Sequence, residues 1–218
     1  MQHITITKLN LIKSEVQKIN KNTKVVAVSK TFDLNNIMPL INDGHIHFGE
    51  NKVQEAANKW TNVKRENRNI KLHMVGKLQS NKVKYSIPLF DYIHSLDSLK
   101  LAEKISKEQE KRNFRPKIFV QVNIGREAQK NGIYEEEIKD FVDICKLKYD
   151  LDIEGLMCIP PNDLKANLYF EKMNLINKEL NLNHLSMGMS QDYILAAKNN
   201  STFIRVGSKI FGQRFVKS

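Results

Sequence analysis

The sequence predicts an α/β protein folded as a (β/α)8 TIM barrel with one extra helix ahead of the first strand. Eight short apolar runs alternate along the chain with segments of helical periodicity. Such alternation is typical of right-handed βαβ units that build a parallel sheet. Eight units of roughly 20 to 30 residues fit into 218 residues and favour closure into a barrel over an open doubly wound sheet. An open sheet of seven strands is the alternative if one run is not a strand.

The first half of the chain carries a leading helix and four strand–helix units. Residues 4–20 place Leu9, Ile12 and Val16 at the spacing of an amphipathic helix. The next run, KVVAVSK, is continuous and rich in β-branched residues, as is typical of a parallel strand buried on both faces. In order, we expect strands at 24–30, 45–50, 70–76 and 92–96 and helices at about 34–43, 51–60, 79–86 and 98–112, with Gly44 ending the first of these helices and Asp97 or Ser98 opening the last.

The second half repeats the same alternation. Pro116 precedes the fifth strand, and Pro160 with Pro161 stops the sixth. We expect strands at 117–124, 151–159, 184–190 and 202–212, the last range including the turn after its strand, and helices at about 134–148, 163–180 and 191–199. No linker or change of composition divides the chain, so residues 1–218 are expected to form a single domain.

Composition narrows the class of protein. The net charge of +11 favours anionic partners, but the lysines are scattered without interleaved aromatic residues, so no nucleic-acid partner is expected. Cys145 and Cys158 fit no metal-binding or disulfide spacing, which agrees with a reducing cytoplasm. The chain has neither the apolar core of a signal peptide at its start nor a run of roughly 18 apolar residues. We therefore expect a soluble cytoplasmic protein without a membrane partner.

Lys30 is the first candidate for chemistry. It directly follows an apolar strand, and strand alternation places it on the same face as Val26 and Val28. If that face is the barrel interior, its amine points into the mouth where barrel active sites lie. A desolvated lysine has a lowered pKa and attacks aldehydes. A lysine at a strand end is more often a surface or ion-pairing residue, so Lys30 alone decides nothing.

The end of the eighth strand strengthens that candidate. Arg205, Gly207 and Ser208 combine a fixed cation, a close backbone approach and a hydroxyl, at the place where barrels frequently bind phosphate. Ser190, just before the helix at 191–199, suits either a phosphate donor or a helix N-cap. An aldehyde-binding lysine beside a phosphate site indicates either pyridoxal phosphate or a phosphosugar aldehyde.

Five separated motifs now carry a family resemblance. They are AVSK (27–30), HFGENKVQE (47–55), LHMVGKLQSNK (72–82), SMGMSQD (186–192) and IRVGSKIFGQR (204–214). In order and spacing they resemble the pyridoxal phosphate homeostasis proteins, which are single-domain relatives of the barrel domain of alanine racemase. The resemblance extends from about residue 24 to residue 214.

The resemblance implies a cofactor, pyridoxal 5'-phosphate, and a role for each matching residue. Lys30 would hold the cofactor as a Schiff base, and Arg205 would face its pyridine nitrogen. Ser190, Gly207 and Ser208 would hold the phosphate, and Asn51 would approach the ring or the phosphate. His73 is expected to pack on strand three instead of contacting the cofactor.

The same residues argue against efficient catalysis. Arginine keeps its proton and donates to a neutral pyridine nitrogen, which makes the ring a poorer electron sink. Racemisation also needs acid/base groups on both faces of the substrate, and alanine racemase takes the second from a tyrosine on an additional C-terminal domain. The sequence ends at Ser218, shortly after the eighth strand, so we expect no such domain. No tyrosine stands at a clear strand end.

We therefore expect a monomeric carrier of pyridoxal phosphate for vitamin B6 homeostasis, whose partners are the cofactor and the apoenzymes that accept it. Three alternatives stay open at this point: an amino-acid racemase, an aldolase-like barrel that forms a Schiff base with a phosphosugar, and a basic nucleic-acid binder.

Overall fold

The computed structural model describes residues 3–213, which form a closed barrel of eight parallel strands in the order β1-β2-β3-β4-β5-β6-β7-β8. The last strand pairs with the first through four residue pairs, from Lys24 with Phe203 to Ala27 with Val206. The strands are β1 Lys24–Val28, β2 His47–Glu50, β3 Lys71–Met74, β4 Tyr92–Leu96, β5 Lys117–Val122, β6 Ile153–Cys158, β7 His184–Ser186 and β8 Phe203–Val206. The predicted barrel is confirmed, and the open sheet of seven strands is wrong.

Helices separate the strands, and one extra helix leads the chain as predicted. The helices are α1 Ile4–Ile19, α2 Leu34–Asn42, α3 Val53–Glu66, α4 Val83–Ser86, α5 Leu99–Arg112, α6 Ile138–Leu147, α7 Ala166–Glu179, α8 Tyr193–Lys198 and α9 Ser208–Phe211. Ser98 caps α5 by accepting a hydrogen bond from the N–H of Leu101. No helix within residues 3–213 is both long enough and apolar enough to cross a membrane.

Two expected elements differ from the structure at the end of the chain. The seventh strand stops at Ser186, not at residue 190, because Gly188 takes φ +90°, which no strand residue adopts. The expected turn after strand eight contains the short helix α9. Arg214, the last residue of the fifth sequence motif, lies outside the described residues.

Side-chain alternation along the strands separates two apolar layers. Val25 and Ala27 face the helices and belong to the large outer core. Val26 and Val28 face inward and pack with Phe119, Met157 and Phe203 in a smaller cluster inside the barrel. The expected interior face of β1 is therefore confirmed, and it carries Lys30 to the carboxyl-terminal mouth.

Polar rings share the interior with this apolar cluster. The fully buried Phe203 lies at its centre, with ring centroids of His73, Tyr92 and Phe119 at 5.3, 5.4 and 5.8 Å. His94 stacks on Phe119 at 4.4 Å. The interior below the mouth is thus filled with side chains, so a ligand cavity at the carboxyl-terminal end must lie above this layer.

Candidate functional site

A cavity of about 500 Å³ opens at the carboxyl-terminal ends of the strands. All six residues predicted to bind a cofactor line it: Lys30, Asn51, Ser190, Arg205, Gly207 and Ser208. Four different strand ends contribute to this lining, which is where barrels place their reactive groups. The structure thus brings together residues that are up to 178 positions apart, from Lys30 to Ser208.

Lys30 is positioned by the residues on either side of it. Ser29 is fully buried and donates from Oγ to Glu50 Oε1 at 2.8 Å. Thr31 has φ +69°, an uncommon conformation for a β-branched residue, and its N–H donates to Glu55 Oε1 at 2.5 Å. Anchored on both sides, the backbone of Lys30 is fixed at the edge of the cavity.

Glu50 binds several of the groups that hold the backbone next to Lys30. Its Oε1 atom accepts hydrogen bonds from Ser29, from Trp60 Nε1 at 2.9 Å and from Lys59 Nζ at 2.9 Å. The carboxylate is fully buried, and the Lys59 ammonium also donates to the carbonyl of Ser29 at 2.9 Å. A buried charge needs a partner, and Lys59 supplies it at Oε1, whereas Oε2 has no hydrogen-bond partner among the described residues. This ion pair therefore ties β1, β2 and α3 together directly behind Lys30.

Arg205 is a buried cation at the floor of the cavity, only 5% exposed. Nη1 donates to Ser186 Oγ at 2.7 Å, and Nη2 donates to the carbonyl of Cys158 at 2.8 Å. Burial lowers the pKa of the guanidinium from its ordinary value, while the nearby Cys158 and Asp192 raise it. A guanidinium remains protonated in proteins, so Arg205 brings a permanent positive charge and donors to the cavity.

Two serine hydroxyls meet on the other side of the cavity. Ser208 Oγ donates to Ser190 Oγ at 3.0 Å, which joins the loop after β7 to the start of α9. The first N–H groups of α9 have no acceptor inside that helix. A Cβ atom on Gly207 would lie 3.1 Å from the carbonyl oxygen of Val28, so glycine keeps this approach open. Hydroxyls and free N–H groups in this arrangement suit a bound anion.

The alternative role of Ser190 as a helix cap is wrong. Helix α8 begins at Tyr193, and its N-cap position is Asp192. Ser190 lies in the turn before that position, where its hydroxyl contacts Ser208.

Asn51 lines the cavity at the end of β2, beside the turn after β3. A Cβ atom on Gly76 would lie 2.5 Å from the carbonyl oxygen of Asn51 and 2.9 Å from its Cβ. Gly76 is thus the residue that lets Asn51 keep its place, and a side chain there would push Asn51 away.

His73 lies inside the barrel and not at the cavity, as expected. It is fully buried, and its ring is hydrogen-bonded on both sides: Nε2 lies 3.0 Å from His47 Nδ1, and Nδ1 lies 2.9 Å from His94 Nε2. His94 Nδ1 in turn lies 2.7 Å from Ser186 Oγ, the hydroxyl that receives the Arg205 hydrogen bond. Sequence reasoning missed Ser186 and His94. Their inward strand positions were the available signal, since a polar residue inside a buried strand must find a partner.

Aromatic residues close one rim of the cavity. Phe32, two residues after Lys30, stacks on Phe211 of α9 with ring centroids 5.0 Å apart. All six tyrosines lie within residues 3–213, and none of them lines the cavity. Tyr193, for example, donates to Glu15 of α1 at 2.5 Å.

The two cysteines are buried free thiols. Burial raises the pKa of each to about 12, so both are protonated at neutral pH. Within the described residues, no group of three or more His, Cys, Asp or Glu side chains could hold a metal ion.

Comparison with known proteins identifies relatives over almost the whole chain. Residues 9–214 match the family described as alanine racemase, N-terminal domain. A pyridoxal phosphate homeostasis protein of Aquifex aeolicus (strain VF5) is 36% identical over 200 residues, which cover 88% of this chain and 87% of the relative.

Solved structures extend the comparison to three dimensions. PipY of Synechococcus elongatus PCC7942, solved with PLP bound, has a TM-score of 0.87 at 32% identity and covers 96% of this chain and 100% of its own. An alanine racemase of Clostridium difficile 630 has a TM-score of 0.70 at 14% identity, with 97% of this chain and 58% of that chain covered. The racemase shares the barrel fold, and PipY shares both fold and sequence.

Proposed function

Since this chain belongs to the pyridoxal phosphate homeostasis proteins, we propose that it binds pyridoxal 5'-phosphate (PLP) as a Schiff base on Lys30 and serves intracellular vitamin B6 homeostasis. PipY, a relative that shares both fold and sequence with this chain, was solved with PLP bound. The observation that carries the proposal is one cavity that joins the Lys30 amine, the Arg205 cation and the hydroxyl pair of Ser190 and Ser208. In this assignment the amine binds the aldehyde of the cofactor, the cation faces its ring nitrogen, and the hydroxyls bind its phosphate.

The residues present fit that cofactor. The cavity of about 500 Å³ lies in the size range of small-molecule sites. Gly207 leaves the backbone open beside the two serine hydroxyls, and the first N–H groups of α9 add donors for a phosphate. In this assignment Ser190, Gly207 and Ser208 hold the phosphate, and Asn51 approaches the ring or phosphate from β2.

We propose a carrier of the cofactor and not an efficient enzyme. PLP supplies an aldehyde that condenses with amines and a ring that withdraws electrons. Arg205 limits the second property, because it donates to the ring nitrogen and does not protonate it. Racemisation would also require a second acid/base group facing the first, and none of the six tyrosines of the described chain lines the cavity.

The finer parts of the proposal follow from the same reasoning. Residues 1–218 form one cofactor-binding barrel domain, of which residues 1–2 and 214–218 lie outside the described part. The protein acts in the cytoplasm, where its two buried free cysteines stay reduced, and it acts as a monomer. Apoenzymes that require the cofactor receive it from this carrier.

An absorbance titration tests the proposal. Purified protein mixed with PLP is expected to develop the visible band of a Schiff base, and Lys30→Ala is expected to abolish it. Lys77→Ala is the matched control: Lys77 follows β3 at the same end of the barrel, but its Nζ donates to Asn131 at 2.5 Å and it does not line the cavity. Borohydride reduction followed by peptide mass analysis should place the added mass on Lys30. A band that survives in Lys30→Ala would contradict the assignment.

A second measurement separates carrier from enzyme. Racemisation of D- or L-alanine by the loaded protein is expected not to exceed the rate given by free PLP. A rate clearly above that background would contradict the carrier proposal and show that the protein is a racemase. Borohydride reduction with candidate phosphosugars in the absence of PLP tests the aldolase-like hypothesis. That hypothesis requires the sugar to be trapped on Lys30.

A further inference from the structure

A chain of hydrogen bonds runs through the barrel interior from the amino-terminal end to Arg205. His47 Nδ1 lies 3.0 Å from His73 Nε2, His73 Nδ1 lies 2.9 Å from His94 Nε2, and His94 Nδ1 lies 2.7 Å from Ser186 Oγ. Arg205 Nη1 completes the chain by donating to Ser186 Oγ at 2.7 Å. His47 lines a second cavity at the opposite end, so the chain spans the space between the two mouths.

The direction of every bond in this chain follows from its Arg205 end. A guanidinium donates and never accepts, so Ser186 Oγ accepts from Arg205. Among the described residues the Ser186 hydroxyl has two hydrogen-bond partners, Arg205 and His94 Nδ1, so its own proton goes to His94. His94 then carries its proton on Nε2 and donates to His73, which carries its proton on Nε2 and donates to His47.

The chain is uncharged as well as directional. Burial lowers the pKa of His73 well below 6.5, with the neighbouring His94 and His47 acting in the same direction. Burial, followed by the charge of Arg205, lowers the pKa of His94 in the same way. The pKa of His47 falls to about 4 through burial and the positive charges of Lys24 and Lys71. All three rings are therefore neutral near pH 7.

Arg205 is thus held by neutral acceptors. Its guanidinium donates to the Ser186 hydroxyl and the Cys158 carbonyl, and no carboxylate within residues 3–213 forms a salt bridge with it. The ionisable groups around it are His94, the protonated Cys158 thiol and Asp192, and Asp192 lines the same cavity as Lys30 and Lys130. A carboxylate in place of Ser186 would fix the guanidinium equally well but would neutralise its charge.

We propose that Ser186, His94 and His73 are positioning residues of the cofactor site, which orient Arg205 through neutral acceptors and leave its positive charge available to the cofactor ring. This inference rests on the proposed function in that Arg205 faces the ring nitrogen of bound PLP. Because no carboxylate of the described residues is bonded to the guanidinium, its charge keeps that nitrogen unprotonated, and the fixed direction of the chain prevents Arg205 from turning away from it.

One test needs no substitution. Long-range proton–nitrogen NMR spectra of the unaltered protein at neutral pH, with and without PLP, report which ring nitrogen of each histidine carries its proton. We expect His47, His73 and His94 to be neutral and protonated on Nε2 in both samples. Protonation of His94 on Nδ1 would reverse the chain and overturn the proposal, whether or not any variant folds.

Substitution of Ser186 tests the effect on the cofactor. In Ser186→Ala, Arg205 loses one acceptor, so we expect PLP to bind about tenfold more weakly. We also expect the visible band to shift and to titrate at a changed pH, which a merely structural loss would not produce. Ser186→Thr keeps the hydroxyl and should restore both the band and its titration. Ser95→Ala is the matched control, because Ser95 neighbours His94 on β4 and is buried, but its hydroxyl has no partner among the described residues.

The outcomes separate this proposal from the proposed function. If unaltered protein shows no visible band with PLP, the proposed function fails before the variants are compared. If the band forms on Lys30 but Ser186→Ala matches the unaltered protein in affinity, spectrum and pH titration, the positioning role is refuted and PLP binding stands.

Discussion

At the scale of single residues, the mouth of the barrel depends on one glycine whose conformation and close neighbours both disfavour a side chain. Gly188 has φ +90°, in the region that favours glycine, and a Cβ atom there would lie 2.4 Å from Ala196 Cβ and 3.1 Å from Tyr193 Cα. Its carbonyl accepts the N–H of Arg205 at 2.9 Å. The same glycine therefore turns the chain toward Ser190 and fixes the backbone of Arg205.

A pair of substitutions separates the conformational part of this requirement from the steric part. Gly44 has φ +84°, and nothing lies within 4 Å of a Cβ atom placed on it. We expect Gly44→Ala to lower the free energy of unfolding by about 1 kcal/mol through backbone strain alone. Gly188→Ala should lower it by about 3 kcal/mol, because overpacking against Ala196 adds to similar strain. Urea denaturation of both variants measures the difference; equal losses would show that the turn relaxes without a clash.

The sequence located the cavity residues because strand ends can be counted without knowing how strands pair. Lys30, Arg205 and Ser208 each follow an apolar run, and closure of a parallel barrel brings such ends together. The contact between Ser186 and His94 could not be predicted by counting strand ends. Their contact crosses the barrel interior between β4 and β7, so it depends on strand tilt and register, which the local sequence does not encode.

At the scale of elements, the leading helix α1 is an integral part of the molecule. Its buried face carries Leu9, Ile12 and Val16, which are 0, 3 and 0% exposed. The helix packs against α2, α8 and α9, and Glu15 accepts the hydrogen bond of Tyr193. Because Ser190 lies in the loop before α8 and Ser208 is the first residue of α9, α1 supports the phosphate side of the cavity from outside.

Two leucines on α1 test this support. Leu9→Ala removes a fully buried side chain and is expected to lower the free energy of unfolding by about 2 to 4 kcal/mol. Leu11→Ala, two residues further along the same helix, removes a side chain that is 61% exposed and should change stability by less than about 0.5 kcal/mol. Thermal and urea denaturation give both values. A comparable loss in the two variants would mean that α1 does not dock through the face that carries Leu9.

Element boundaries were harder to predict than element identity. All eight strands were located, but β7 has only three residues and ends where Gly188 changes the backbone direction. The expected helix at 51–60 runs on to Glu66, since Val63 continues its buried face. The sequence predicts only a turn where the short helix α9 lies, because four residues give no periodic signal. Tertiary contacts determine where such strands and helices end, and the sequence of a single segment does not reveal those contacts.

At the scale of the whole molecule, barrel closure encloses histidines that lie on the inward faces of its strands. His73 and His94 are fully buried inside the barrel, and His45 is 5% exposed beside the amino-terminal opening. Neutral rings serve the structure well there, because the protein carries a net charge of +11 and a further buried cation would be repelled. The number of histidines was evident from the sequence, but their burial follows from closure.

Buried neutral histidines make the stability of the whole barrel fall in acid. Burial, together with the charges of Lys13 and His47, lowers the pKa of His45 in the folded protein to about 3, against an ordinary value of 6.5. Between these two pH values the unfolded chain binds a proton at this position and the folded chain does not, so acid favours unfolding. We expect His45 to contribute a loss of about 1.4 kcal/mol per pH unit in the acid part of that interval.

Unfolding free energies measured by urea denaturation between about pH 6 and pH 4 check this linkage for the protein without added cofactor. His45→Asn should give a slope against pH that is shallower by about 1.4 kcal/mol per unit, whatever its effect on stability at pH 7. Identical slopes for His45→Asn and the unaltered protein would mean that His45 takes up its proton in the folded state, and that the amino-terminal opening admits more water than the packing around this ring allows.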